Sequence, residues 1–327
     1  MREIEIIAAP SNLGLRPLRP GHTPGAWRAP EALRDAGLHT RLNPRLVHSL
    51  PRPVYELDAQ PGTRIRNGHT IRRFSENLAN TVQGVLANGN VPVVIGGDCS
   101  VLLGCLLGAR RTGRCGLVHV DGHSDFFHPG NYNVTARLGS AAGMDLALAT
   151  GRGESLLTQW KGVAGALVDD GDVVQIGERD ELDSGYAYAD IQQTKIRQVP
   201  VRHLKKIGIL QCCEEVSARF SSRGLTRIWL HVDVDVLDQS VMPAVDSPGS
   251  PGLNFDELSA LIKGLCQRLP VLGVDVTIYD PDLDPSGIHA KNLVSCLVGG
   301  LTDLANGRAM RNDDAISDRD RGDYDQR

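Results

Sequence analysis

The 327-residue chain is poor in aromatic side chains, at 4%, so aliphatic residues and alanine must fill its core. It has no run of about 18 apolar residues, which excludes a membrane-spanning helix. Its N-terminus, Met1-Arg2-Glu3-Ile4-Glu5, lacks the basic stretch and long apolar segment of a signal peptide. Positive charge is not in excess. Thirty-five Lys and Arg against 39 Asp and Glu give a formal charge of −4, which argues against nucleic acid or a membrane surface as partner. The seven cysteines contain no CxxC pair and are odd in number, so they read as reduced thiols of a cytoplasmic protein. Neither GxxxxGK[ST] nor GxGxxG occurs, so no phosphate cradle is signalled.

What is present is an ordinary globular composition, 41% hydrophobic with 36 glycines, which excludes a disordered chain. Length alone suggests roughly two domains, but no repeat or linker divides the sequence. We therefore expect one domain over residues 1–307. Residues 308–327 hold six Asp and five Arg with hardly an apolar anchor, the composition of a mobile charged tail.

Short β-branched runs recur at residues 4–9, 91–95, 116–120, 173–176, 227–232 and 271–276. Continuous apolar strands of this kind are buried on both faces, as in a parallel sheet. Helical periodicity lies between them. Ile71, Phe74, Leu78, Val82 and Val85 share one face of a helix over residues 70–88, closed by Gly89. Asn254 and Glu257 open a second helix over residues 254–269. Alternating strand and helix predicts an α/β fold with right-handed crossovers.

Ligands of such sheets bind beyond the carboxyl ends of the strands, and here those ends are acidic. One strand runs into Asp121-Gly122-His123-Ser124-Asp125 and another into Asp233-Val234-Asp235. Residues i and i+2 of an extended chain project to the same side, so Asp121 can pair with His123 and Asp233 with Asp235. Carboxylates gathered in apolar surroundings lose hydration and repel one another. Four carboxylates and an imidazole suit one or two divalent metal ions, although each acid alone also suits a turn or a helix cap. A third strand end reads Gly96-Gly97-Asp98-Cys99-Ser100, where the glycines permit a tight turn. Cys99 there is either a soft metal donor or a small buried hydrophobe.

Gly96-Gly97-Asp98-Cys99-Ser100, Asp121-Gly122-His123-Ser124-Asp125 and Asp233-Val234-Asp235-Val236-Leu237-Asp238 resemble, in order and spacing, the three signature motifs of the arginase–agmatinase (ureohydrolase) family. Ala9-Pro10-Ser11-Asn12-Leu13-Gly14 is similar to that family's first strand and loop. The resemblance covers roughly residues 3–305. It implies a three-layer α/β/α domain around an eight-stranded, mostly parallel sheet, assembled as a trimer or hexamer. It also implies a pair of manganese ions and attack of a metal-activated hydroxide on a guanidino or amidine carbon, releasing urea or a urea derivative. On this resemblance Asp121 and Asp233 bridge the metals, Asp125 binds the first, and His123 and Asp235 bind the second.

The chain departs from the family at three places. Cys99 stands where the family has a metal-binding His, and Mn²⁺ prefers oxygen and nitrogen donors, so the first site is expected to be weaker or to favour a softer metal. Leu138 stands at the position of a proton-shuttling His, leaving His128 as the nearest substitute. Ile278 stands where a Glu holds the substrate guanidinium. Without that carboxylate, a less basic group such as an N-hydroxyguanidine becomes the better-suited substrate. Asp125 and His128 are the candidate catalytic residues. Asn131, Asn133 and Asp180, with Asp183 beside it, are candidates for the substrate's amino-acid end.

Asp98 reads either as a support of the site or as a helix cap. His231 reads as a partner that orients a carboxylate or as a core histidine, and Asp238 as a turn residue. Two other classes compete with the binuclear hydrolase. One is a deacetylase-like amidohydrolase with a single zinc ion, which the Cys99 substitution favours. The other is a catalytically silent relative, which the missing His and Glu favour and the retained acids oppose.

Overall fold

The computed structural model of the protein describes residues 2–179 and 190–305. The apolar runs become strands: β1 (Ile4–Ala9), β2 (Leu46–Ser49), β3 (Val91–Gly96), β4 (Gly116–Val120), β5 (Val173–Ile176), β6 (Arg197–Val199), β7 (Ile228–Asp233) and β8 (Val271–Thr277). They form one eight-stranded sheet in the order β2-β1-β3-β8-β7-β4-β5-β6. Every pairing in it is parallel.

β3, β4, β5 and β7 are buried along their whole length, as continuous apolar runs predict. Their alternate side chains feed opposite faces. Ile6, Val93, Val118, Val174 and Leu230 join one apolar cluster, whereas Ile7, Val94, Leu117, Val173 and Trp229 join the other. The helices Ile209–Ser222, Phe255–Arg268 and Ile288–Leu301 cover the first face, and Gly68–Ala87 and Val101–Arg111 the second. The result is the three-layer α/β/α arrangement with eight parallel strands that the resemblance implied.

Two strands were absent from the sequence reading. β2 and β6 are short, lie at the two edges and expose part of their length, so neither carries a continuous apolar run. The helix expected over residues 70–88 spans Gly68–Ala87. That expected over 254–269 spans Phe255–Arg268, with Asn254 and Glu257 forming a complete capping box. No helix of the described residues is long and apolar enough to cross a membrane. The charged segment 308–327 lies outside the described residues.

Because the strands are parallel, their carboxyl ends share one edge of the sheet, and β3, β8, β7 and β4 are consecutive neighbours there. The turn leaving β3 is braced against the loop after β1. Ser11 Oγ donates to Asp98 Oδ2 at 2.7 Å, and the Ser100 N–H donates to Asp98 Oδ1 at 2.9 Å. Asp98 thus caps its own turn and ties it to β1, which joins both of its sequence readings. Gly97 permits the approach: a Cβ there would lie 1.6 Å from the Ser11 carbonyl oxygen. We expect Gly97→Ala to destabilise the protein by about 1–3 kcal/mol or more. An unchanged urea midpoint would contradict this reading of the turn.

Candidate metal centre

The strand ends interlock through their acids. Asp121, following β4, accepts the His123 N–H at Oδ1 (2.7 Å). Asp233, ending β7, accepts the Asp235 N–H at Oδ1 (2.7 Å). Asp235 in turn accepts the Gly122 N–H at Oδ1 (3.0 Å), and its Oδ2 lies 2.9 Å from His123 Nδ1. Both segments turn rather than run extended, each Asp accepting the N–H two residues on, and the Asp235 contacts with Gly122 and His123 hold them face to face. Cys99, from the turn after β3, donates its Sγ–H to Asp233 Oδ2 at 2.7 Å and lies 3.3 Å from Thr277 Oγ1.

Of four groups of candidate ligands among the described residues, two gather the residues named from the motifs: Cys99, Asp121, Asp125 and Asp233, and Asp121, His123 and Asp235. Within each group the ligand atoms lie within 4.8 Å of one another, and Asp121 belongs to both. All six residues named as metal ligands are brought together. Asp125 is half-buried with a left-handed φ of 46°, a conformation uncommon outside glycine and frequent at functional sites.

The electrostatics fit a cation. Asp121 is wholly enclosed, and its Oδ2 has no hydrogen-bond partner among the described residues. Burial first, then the charges of Asp125, Asp233 and Asp235, push the Asp121 carboxyl well above the usual range. Burial and then Asp235 do the same to Asp233. The Cys99 thiol is also driven up, by burial and then by Asp233, and stays protonated. For Asp235 burial acts upward, but His123, Arg179 and the Gly122 N–H outweigh it and hold the group at about 2. Mixed oxygen, nitrogen and sulfur donors around an unpartnered carboxylate oxygen suit a divalent transition metal.

Protein cations offset part of this charge. The Arg179 guanidinium, following β5, donates from Nη2 to the Asp235 carbonyl oxygen at 2.8 Å. It also lies so close to Gly122 that a Cβ there would sit 2.3 Å from Nη1. Beneath the acids, His231 Nδ1 contacts Asp275 Oδ2 at 2.6 Å, and the His231 ring stacks on His119 at 4.7 Å. Burial alone lowers both histidines. At His231 the charge and hydrogen bond of Asp275, then Asp145, win and push it up to about 9. At His119 burial prevails over Asp145 and the pKa falls. His231 is thus an enclosed imidazole whose raised pKa rests on Asp275, in contact with His119 and close to the candidate ligands Cys99 and Asp121.

The acids open into a cavity of about 380 Å³, lined by Cys99, His123, Asp125, Asp233 and Asp235. Leu138 and Ile278 also line it, and Ile278 has a φ of 75°, an outlier for a β-branched residue.

Three candidate residues lie away from the lining of this cavity. His128 does not line this cavity: its Nε2 bonds Asp190, and it faces a separate cavity with Asp190 and Arg152. The Asn131 side chain donates to the Phe126 carbonyl (2.8 Å) and receives the His128 N–H (2.9 Å), so it is consumed in shaping its own loop. Asn133 Oδ1 accepts from Thr135 N and Oγ1 in a turn. Asp180 and Asp183 lie outside the described residues. Sequence reasoning missed Arg179, Asp145 and Asp275, whose partners are distant in the chain. For Arg179 a signal existed, since it follows the strand end Ile176-Gly177.

Comparison with known proteins agrees with this geometry. A family model described as the arginase family matches residues 2–299. The arginase of Bacillus caldovelox is 31% identical over 309 residues, covering 92% of this chain and 98% of that protein. The solved structure of the arginase from Bacillus caldovelox is similar with a TM-score of 0.79 at 27% identity, covering 95% of this chain and all of the other (100%). A proclavaminate amidino hydrolase from Streptomyces clavuligerus, 20% identical with a TM-score of 0.65 and 94% and 93% coverage, shares the fold.

The raised carboxyls give a signed expectation. Groups whose folded pKa is raised favour the folded state at low pH, and that contribution is lost as pH rises through the raised pKa. Protein stripped with a chelator should therefore lose stability from acid toward neutral pH, through Asp121 and Asp233. Adding Mn²⁺ at neutral pH should restore it with release of protons. Calorimetry in buffers of different ionisation enthalpy measures that release, and its absence would contradict the assignment.

Proposed function

Because this chain belongs to the arginase family, a family of metal-dependent ureohydrolases, we propose that it hydrolyses a guanidino-type C–N bond and releases urea or a urea derivative. The observation that carries this reading is the pair of ligand groups sharing Asp121 at the base of one cavity. In this reading Cys99, Asp121, Asp125 and Asp233 hold one divalent ion, and Asp121, His123 and Asp235 hold a second, with manganese the expected metal. Ions held there supply Lewis-acid activation of water at neutral pH and stabilise charge developing at the attacked carbon.

The chain's own groups prepare that chemistry. Asp235 is ionised beforehand by His123 and Arg179. Asp121 and Asp233 give up protons when a cation arrives. Asp125 lines the cavity and is the carboxylate we assign to proton transfer in place of His128. Cys99 keeps its proton on Sγ, directed at Asp233 Oδ2, which makes it the weakest donor of the set. Ile278 and Leu138 give the cavity an apolar wall. No carboxylate at Ile278 compensates a fully cationic guanidinium, so a less basic N-hydroxyguanidine is the better-matched substrate.

The protonated Cys99 thiol specifically favours a second reading, a single-ion amidohydrolase using Asp121, His123 and Asp235. We further propose a cytoplasmic homo-oligomer. Supporting association, edge strand β2 presents exposed Leu46 and Val47, an open edge of the kind that pairs with other chains.

Elemental analysis after Mn²⁺ reconstitution separates the readings. Near two ions per chain supports the binuclear centre. One ion, rising to two in Cys99→His, supports the single-ion reading, and none in either protein removes the hydrolytic mechanism. Urea and hydroxyurea release tests the substrate. A missing charge-assisted hydrogen bond, worth about 1.5–3 kcal/mol, predicts at least about tenfold higher kcat/KM for N-hydroxyarginine than for arginine. Equal values would contradict the role given to Ile278.

A further inference from the structure

One step further into the sheet than the candidate ligands lies a second polar row that the metal centre does not use. β4 and β7 lead into the same triplet, His119-Val120-Asp121 and His231-Val232-Asp233. The acids stand at the strand ends, and each histidine stands two residues earlier, inside its strand. His119 and His231 are register partners, flanked in register by Gln175 of β5 and Asp275 of β8. Four polar side chains thus cross four neighbouring strands with no exposure at all. Two residues earlier on the same face, β5, β4 and β7 carry Val173, Leu117 and Trp229.

Asp145, at the start of the helix Asp145–Ala149, faces this row and is also wholly enclosed. Its Oδ1 lies 3.2 Å from His119 Nε2, and its Oδ2 lies 3.7 Å from His231 Nε2. Two stacked imidazoles therefore share one carboxylate. The other side of His231 is fixed. Its Nδ1 lies 2.6 Å from Asp275 Oδ2, while Asp275 Oδ1 accepts the Trp229 indole N–H at 2.5 Å. Asp275 thus holds the Nδ1–H and leaves Nε2 to the interior. A separation of 3.7 Å is too long for a hydrogen bond. Neither His231 Nε2 nor Asp145 Oδ2 has a partner among the described residues. Buried polar atoms left unpaired are costly and rare, and here two of them are neighbours.

The spacing suits an ion. Around tetrahedral zinc, with bonds of about 2.0–2.1 Å, donor atoms lie roughly 3.3 Å apart. The ligand atoms of His119, Asp145 and His231 lie within 4.8 Å of one another, and the contacts of 3.2 and 3.7 Å bracket the tetrahedral separation. A carboxylate behind the imidazole, as Asp275 stands behind His231, is the usual support of a metal-binding histidine. Two ring nitrogens and one carboxylate in a dry interior favour zinc over manganese, which takes more oxygen donors.

We propose that His119, Asp145 and His231 form an enclosed site for a structural zinc ion. None of the three lines the cavity, so the site is separate from the one that would meet substrate. The ion takes the place of the proton on His231 Nε2, which is released on loading. It ties β4 and β7 to the helix Asp145–Ala149 and so fixes the strand ends that present Asp121 and Asp233.

Protein produced with Zn²⁺ and Mn²⁺ supplied, then dialysed against EDTA, tests the site. The open cavity should give up its ions, whereas about one zinc per chain should remain until guanidinium unfolds the protein. X-ray absorption at the zinc edge should show two imidazole nitrogens at about 2.0–2.1 Å and no sulfur. His119→Gln and Asp145→Asn should each leave no zinc after the same dialysis. No zinc in the dialysed wild type, zinc bound through sulfur, or zinc retained by both variants would overturn the site. If the variants fail to fold, the wild-type zinc content and absorption spectrum decide alone. The outcome is independent of the hydrolase reading: zinc retained without turnover of any guanidino compound supports the site while that reading fails, and turnover without retained zinc does the reverse.

Discussion

The molecule is organised around the electrostatic strain of placing Asp121, Asp125, Asp233 and Asp235 together at the dry ends of neighbouring strands. In isolation such carboxylates repel one another and resist ionisation. Every nearby element answers that strain. Backbone N–H groups of Gly122, His123 and Asp235 bind carboxylate oxygens. Arg179 reaches across from β5, and the enclosed His231, its pKa raised by Asp275, is held beside that acid. These devices lower Asp235 but leave Asp121 and Asp233 raised, and one oxygen of Asp121 without a donor among the described residues. The protein offsets part of the charge and leaves the remainder for cations.

The departures from the family pattern then acquire a common physical sense. Cys99 puts a neutral thiol where an imidazole would bind a metal, and Leu138 and Ile278 line the cavity without proton or charge. The floor keeps its ligands, whereas the walls lose polar groups near the floor and present arginines instead.

Much of this was legible in the sequence because it rests on short-range rules. Runs such as Val91–Ile95 and Gly116–Val120 can only be doubly buried strands. The acids of the second and third motifs meet at the strand ends as expected, although through turns rather than extended chain, and Asn254 with Glu257 announces a helix start. What escaped depends on tertiary approach. β2 and β6 are edge strands with one open side, and Arg179, Asp145 and Asp275 meet partners far along the chain. His128, Asn131 and Asn133 follow the second motif closely in sequence, yet none of them lines the cavity. The loop turns, Asn131 and Asn133 bind its backbone, and His128 is directed to Asp190.

The central claim is that one carboxylate-rich edge holds two ions sharing Asp121, despite the thiol at Cys99. Electron paramagnetic resonance of the fully Mn²⁺-reconstituted protein tests it most directly. The account predicts the spectrum of an exchange-coupled manganese pair, lost in Asp121→Asn. A spectrum of magnetically isolated ions at full loading, unchanged by that substitution, would contradict it.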